Sequence, residues 1–369
     1  MRLKPAFRTT SVTSEPATGV RRDGSARLRN VTGWATALLT ATALVVPVNF
    51  VTEEAGPTFN TIGETDGEQL ISIEGRQSYP VSGALDMTTV SVAGGPNTRI
   101  FAVQTLGTWL ASHTMVVPTE LMYDPTVTNE QVTTKNASDM SNSQESAQAA
   151  AMTYLHEDFT EKLKIADIPG DSPSAKALKP GDELVSIGGQ QIKHFEQIAD
   201  LLAQTKGRPV DVTVKRDGRT LTEKITPTYS EKADKYLLGV AVKKDYDFPI
   251  KVKYGLEEVG GPSAGMMFSL GIIDELTPGQ MTGGKHFAGT GTIDAEGKVG
   301  PIGGIAQKMV GAKDAGAEFF LAPADNCQDV VGHVPDGLSV IKVDSLSQAA
   351  DAVEKLGTGA DPAGFPTCG

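Results

Sequence analysis

Between Val31 and Thr52 the chain runs for 22 residues, VTGWATALLTATALVVPVNFVT, without a charged side chain. As a helix rising ~1.5 Å per residue, such a stretch reaches roughly 30 Å, the thickness of a bilayer core. Residues 1–30 carry seven basic and two acidic side chains, a net +5. The whole chain has a net charge of −12, so the remainder carries −17. A basic flank before the segment and an acidic bulk after it predict a short cytoplasmic tail (1–30), a single-pass transmembrane anchor (31–52) and an extracytoplasmic remainder. The competing reading is a cleaved signal peptide. It fits less well, because the basic region is long and no small-x-small site follows the apolar run.

The acidic balance also limits partners. No basic stripe is present to neutralise phosphates, so a nucleic-acid partner is not expected. Hydrophobic residues make up 39% of the 369, enough to bury real cores. The two cysteines, Cys327 and Cys368, are too few for a four-cysteine zinc site, and in an exported chain they predict a disulfide with each other. There is no His-Glu-x-x-His and no carboxylate–His cluster at ligand spacing, so neither a metal nor a cofactor is expected.

Beyond the apolar segment, 53–68 is rich in Gly, Thr and acidic residues and reads as a linker. Alternating patterns at 70–75 (LISIEG) and 87–95 (MTTVSVAGG) read as strands. Helical spacing appears at 99–111 and again from Met140 to Leu155, while 129–148 reads as polar surface. From 157 the texture changes. A Pro180-Gly181-Asp182 turn precedes the strand ELVSI (183–187), an amphipathic helix follows at 195–205, and 209–227 forms a hairpin around Asp217-Gly218.

The chemistry concentrates in 254–323. Gly261-Pro262-Ser263-Ala264-Gly265 forms a glycine-rich turn opening a helix whose apolar stripe is Met266, Met267, Leu270, Ile273 and Leu276. A serine there lies beside free backbone N–H groups and the positive helix end, which stabilise an oxyanion. Two other readings stand beside this one: an ordinary serine N-cap, and the G-x-S-x-G elbow of an α/β-hydrolase. The elbow requires a buried strand before the serine, where Glu257 and Glu258 stand instead, and a late histidine, of which only His286 and His333 follow. The next segment favours a different partner. In 286–323 a strand and a Asp-Ala-Glu-Gly turn lead to Gly303-Gly304 and a helix over about 305–315. Lys308 falls in the first turn of that helix, an unfavourable place for a charged amine and a sensible one for a neutral base. Lys313 faces elsewhere and reads as solvated.

GGPSAG followed by G-T-G-x-I-x-x-x-G-x-V-x-P-I-G-G-I-x-x-K resembles the proteolytic domain of Lon-family serine proteases. MSNSQESAQAAAMTYL (140–155) and YDFPIKVKYGLEEVGGPSAG (246–265) extend that resemblance. Residues 157–228 resemble a PDZ domain through SP-A-x-x-L-x-x-GD-x-L-x-x-I-x-G, although KLKIADIPG (162–170) holds no clear Gly-Φ carboxylate-binding loop. Together these features resemble the bacterial membrane-anchored PDZ–Lon proteins. The implied fold is an α/β (α+β) Lon-type proteolytic domain, split into 69–156 and 229–357, with a β-rich PDZ domain inserted at 157–228 and a C-terminal tail at 358–369. The implied activity is that of a serine endopeptidase with Ser263 as nucleophile, Lys308 as general base and Thr290 orienting the lysine. No G-x-x-x-x-G-K-[ST] occurs in these residues, which implies action without ATP on flexible or unfolded protein or peptide substrates. The PDZ part is expected to bind a peptide segment and so recruit or gate substrate. Lon domains assemble as rings, so the resemblance also raises a homo-oligomer. The alternatives are an exported, non-catalytic PDZ scaffold and a Ser-His hydrolase of the elbow type.

Overall fold

The computed structural model describes residues 23–369 except 66, 97, 112, 196, 257 and 258, with side chains from residue 29 onward. The basic tail up to residue 22, and the Glu257 and Glu258 positions, lie outside the described residues.

A six-stranded mixed sheet is built from the residues on either side of the inserted module. Its spatial order is Ser339–Val343, Phe319–Pro323, His286–Gly289, Ala84–Ala93, Phe50–Asn60 and Met115–Pro118. The first four strands run parallel in sequence of pairing, with Phe287 opposite Phe319 and Leu85 opposite Phe287. The last two pairings are antiparallel. Parallel strands need both faces covered, and the sequence supplies the covers. The helix Gly265–Leu276 is buried along all twelve residues, since it is sandwiched between the sheet and the helices Asn129–Tyr154 and Leu346–Gly357. Burial therefore extends beyond the expected stripe to the whole helix, Ser269 donating to the carbonyls of Ala147 and Gly265 and Asp274 accepting from the Met281 N–H. On the other side the helix Ile305–Asp314 lies against the strand Phe50–Asn60, where Gly311 meets the Gly56 carbonyl.

Three expectations are corrected here. The uncharged segment 31–52 does not form one spanning helix: the helix Asp23–Leu44 ends inside it, and Phe50–Asn60 is a sheet strand whose Val51 is fully buried. No helix among the described residues is long and apolar enough to cross a membrane. The segment 53–68 is likewise no linker, because its first part pairs on both sides within the sheet. Finally, the polar surface expected at 129–148 holds for 129–142, which is mostly exposed, but not for the end of the segment. The segment belongs to a 26-residue helix, capped at Thr128 by a reciprocal bond with Gln131, that buries Ser143, Ala147 and Gln148.

The inserted module has its own core, including Leu163, Ile165, Leu184, Ile187, Leu202, Val212, Val214 and Leu238. Its antiparallel sheet orders as Arg219–Ile225, Val210–Arg216, Glu183–Ile187, Thr160–Asp167 and Ala241–Asp247. The last strand extends the module past the expected limit of 228, because Ala241–Asp247 pairs along the full length of Thr160–Asp167. Buried Asp182 is held by a bidentate Arg216 at 2.6 Å, so its carboxyl is kept below the ordinary range.

The residues after 357 are tied down. Cys368 is bonded to Cys327, with 4.9 Å between their Cα atoms, and the Pro366 carbonyl accepts from the Lys342 N–H at 2.8 Å. The bond closes a separation of 41 residues, so replacing both cysteines by serine is expected to lower stability by roughly 3–4 kcal/mol in chemical denaturation. An unchanged denaturation midpoint, or two titratable thiols in protein from an oxidising compartment, contradicts this.

Candidate active site

Ser263 stands in a turn one residue before the first cap of the helix Gly265–Leu276. The turn is fixed from behind by the long helix Asn129–Tyr154. Gly261 N–H donates to the Asn136 carbonyl at 2.9 Å, and Ser143 Oγ donates to the Pro262 carbonyl at 3.0 Å. Gly265 permits this approach: a Cβ there would lie 2.8 Å from Ile293 and 3.0 Å from Ser143. From the front, Gly291 N–H donates to the Ser263 carbonyl at 2.8 Å, and Met266 N–H to the Gly291 carbonyl at 3.1 Å. The loop after the strand His286–Gly289 is thus stitched to the serine turn, and it delivers Thr290.

Lys308 comes from the opposite side. Its helix begins at Gly304, whose φ of +68° suits glycine and whose Cβ would lie 2.7 Å from Val90. The approach to that helix is clamped by Asn326, which accepts from the Ile302 N–H at 2.9 Å and donates to its carbonyl at 2.8 Å. Asn326 directly precedes the disulfide-bonded Cys327.

These segments bring the three expected residues together. Lys308 Nζ lies 2.8 Å from Ser263 Oγ and 2.9 Å from Thr290 Oγ1. Thr290 Oγ1 in turn donates to the Ser263 carbonyl at 3.0 Å, so its hydroxyl is left to accept from the amine. Lys308 is 3% exposed and Thr290 0%. Burial pushes the lysine down from its ordinary value to about 8, opposed in part by Glu53.

Glu53 is the residue the sequence reading missed. It is 9% exposed on the strand Phe50–Asn60, beside the start of the lysine helix. Burial raises its carboxyl above the usual range, and the Lys308 charge works against that rise. No local alternation marked it: Val51, Thr52 and Glu53 are buried in succession, and the strand is defined by its pairing on both sides.

The elbow reading does not fit. Ser263 follows a loop, the strand Lys251–Tyr254 having ended well before it. His286 is engaged by Asp86 at 2.8 Å, and His333 lies in an exposed loop. The expectation that no carboxylate–His cluster exists also needs correction. Folding brings Glu161, His194 and Glu296 together from three separate segments, which no spacing rule detects.

The PDZ-like module presents a second site. The sequence reading found no clear carboxylate-binding loop in 162–170; at the other end of the module, Leu238-Gly239-Val240 connects the strand Lys235–Leu237 to the strand Ala241–Asp247. This loop leads into the edge strand Ala241–Asp247. With Phe195, Ile198, Ala199 and Leu202 it encloses a largely apolar cavity of about 500 Å³.

The chain matches the Lon protease (S16) C-terminal proteolytic domain over residues 220–355 and a PDZ domain over 166–216. Lon protease of Mycoplasma mycoides subsp. mycoides SC is 31% identical over 125 residues, covering 33% of this chain and 16% of that protein. Lon protease 1 of Bacillus subtilis is 33% identical over 109 residues, covering 29% and 14%. Lon protease of Campylobacter concisus is 28% identical over 211 residues, covering 51% and 26%. The chain thus spans about a quarter or less of the curated relatives it matches. With serine, lysine and threonine converging inside the matched region, the chain joins a Lon-type (S16) serine-peptidase domain to a PDZ domain.

Proposed function

We propose that this chain is an ATP-independent serine endopeptidase that cleaves extracytoplasmic peptides or flexible proteins with a Ser263–Lys308 dyad. The observation that carries this reading is the 2.8 Å contact between a buried amine and the serine hydroxyl. A serine hydroxyl is a weak nucleophile and needs a base within hydrogen-bond reach. As an ammonium, Lys308 has no lone pair. With its pKa lowered to about 8 it is substantially neutral in mildly alkaline water, and its lone pair then accepts the Ser263 proton.

As Ser263 Oγ bonds to the substrate carbonyl carbon, Lys308 becomes an ammonium held by Thr290 and by the field of Glu53. The carbonyl oxygen takes the negative charge and lies toward the backbone N–H groups opening the helix Gly265–Leu276. Lys308 returns the proton to the leaving amine as the C–N bond breaks. Water then releases the acyl group with the same lysine as base.

The groove between Ala241–Asp247 and the helix Gln197–Thr205 supports a role for the PDZ domain in binding substrate or a signalling peptide. Its edge strand offers backbone groups for strand addition, and the Leu238-Gly239-Val240 loop suits a terminal carboxylate above an apolar pocket. An extracytoplasmic location is supported by the split in charge and by the Cys327–Cys368 bond. The helix Asp23–Leu44, with Trp34, Leu38 and Leu39 exposed, is the segment through which we place contact with a membrane.

A serine-reactive phosphonate is expected to label the wild type and not Ser263→Ala. Lys308→Arg should lose turnover, because arginine stays charged, while Lys313→Arg should cleave like the wild type. Substantial turnover in Lys308→Arg contradicts the dyad.

The pH profile gives a second test. Activity should rise with pH through about 8, as Lys308 loses its proton. The Glu53 carboxylate favours the ammonium, so Glu53→Gln should move the inflection of kcat/KM to lower pH. A shift to higher pH, or none, contradicts the assigned electrostatics.

For the groove, Ile198→Lys is expected to weaken binding of peptides with an apolar free C-terminus by about tenfold or more, which is ~1.4 kcal/mol. Amidating the peptide should do the same. Equal binding of free and amidated peptides contradicts carboxylate capture.

A further inference from the structure

Where the PDZ domain meets the catalytic domain, three potential ligands converge. Glu161 lies near the start of the strand Thr160–Asp167, and His194 precedes the helix Gln197–Thr205, both in the PDZ domain. Glu296 comes from the catalytic domain, in the Asp294–Lys298 turn that follows Thr290 and the short strand Thr292–Ile293. One ligand atom from each of the three lies within 4.8 Å of the others.

Glu161 makes the cluster more than a chance meeting of surface charges. Its side chain is 1% exposed, and its two oxygens are treated differently. Oε2 faces His194 Nδ1 at 3.2 Å. Oε1 is buried with no hydrogen bond. Lys244 Nζ approaches it only to 3.6 Å, an ion pair too long for a hydrogen bond. A buried carboxylate oxygen without a hydrogen bond is costly, and the cost is removed when a cation takes it as a ligand.

The rest of the neighbourhood suits a fixed site. Thr153 Oγ1, on the long helix, donates to the Ala295 carbonyl at 2.9 Å, which anchors the turn carrying Glu296. The His194 backbone is turned by Gln197, whose Oε1 accepts from the Lys193 N–H at 2.8 Å. A cleft of about 630 Å³ opens beside Glu161 and His194 and leaves room for coordinated water.

We propose that Glu161, His194 and Glu296 form a binding site for a zinc-class divalent cation that ties the PDZ domain to the catalytic domain. One imidazole and two carboxylates suit an ion of intermediate softness and argue against calcium or magnesium, which prefer all-oxygen sites. On a tetrahedral zinc, ligand atoms stand about 3.3 Å apart, so modest rotations of the exposed His194 and Glu296 side chains complete the set. Two carboxylates and the nearby Lys244 ammonium leave a net negative charge for the ion to neutralise. The ion would join Glu161 on one side of the two chain crossings to Glu296 on the other. It would restrain the module against the turn that follows Thr290.

The test uses the tag-free, chelator-treated full chain, titrated with Zn²⁺ by calorimetry. One Zn²⁺ per chain is expected. His194→Ala and Glu296→Gln, both at exposed positions that spare the fold, should each weaken binding at least tenfold. His333→Ala, a surface histidine elsewhere, should leave it unchanged. Zn²⁺ should also protect the crossings near Asp158 and Phe248 from added protease in the wild type but not in Glu296→Gln. Absence of saturable one-to-one binding, or wild-type affinity in Glu296→Gln, overturns the proposal.

Discussion

An amine withdrawn from water and pinned between two hydroxyl groups is the contact on which the rest of this structure depends. Lys308 gains its lowered pKa only while it stays buried, and it stays aimed at Ser263 only while several separate elements hold their places. Gly304 starts its helix in a conformation that suits glycine, and Asn326 clamps the segment before it. Ser263 is gripped from the long helix through Gly261 and Pro262, and from the sheet side through Gly291. Thr290 joins the two halves by accepting from Lys308 and donating to the Ser263 carbonyl.

The inserted module joins that arrangement through the chain. Its edge strand Ala241–Asp247 runs through Phe248 and Pro249 into Lys251–Tyr254, the strand that leads to the serine turn. Phe159, Tyr246 and Phe248 pack together where the chain enters and leaves the module, with ring centroids 5.3–5.8 Å apart. Gln148 of the long helix donates to the Ile250 carbonyl at 3.0 Å, fixing the exit to the element that also holds Ser263. A peptide added to the edge strand would therefore lie on a segment that runs on toward Ser263.

The Ser263–Lys308 pair was legible because its determinants are local. The Gly-Pro-Ser-Ala-Gly turn and the Gly303-Gly304 start of a helix with Lys308 one turn later are each contained within a few residues. The strands and helix of the inserted module were legible for the same reason, through alternation, glycine turns and one amphipathic repeat. What escaped was set by partners distant in sequence. The strand Phe50–Asn60 straddles the end of the uncharged run, with Glu53 and Glu54 inside it, so the charge boundary cuts across it and only pairing with Ala84–Ala93 and Met115–Pro118 defines it. Glu53 went unread with it. The last strand of the module escaped because it pairs with its first, across the whole intervening sequence. The helix Asn129–Tyr154 looked polar because most of 129–142 faces solvent, and its buried end packs small and polar side chains, Ser143 and Gln148 among them, against backbone carbonyls.

The account stands on the protonation state of one side chain, and that state is directly measurable. With lysine side chains isotopically labelled, the Lys308 signal is assigned by its loss in Lys308→Arg and followed through a pH titration by NMR. The account predicts a midpoint near 8, well below the ordinary lysine value of about 10.4. A Lys308 that titrates near that ordinary value would leave Ser263 without its base and contradict the mechanism.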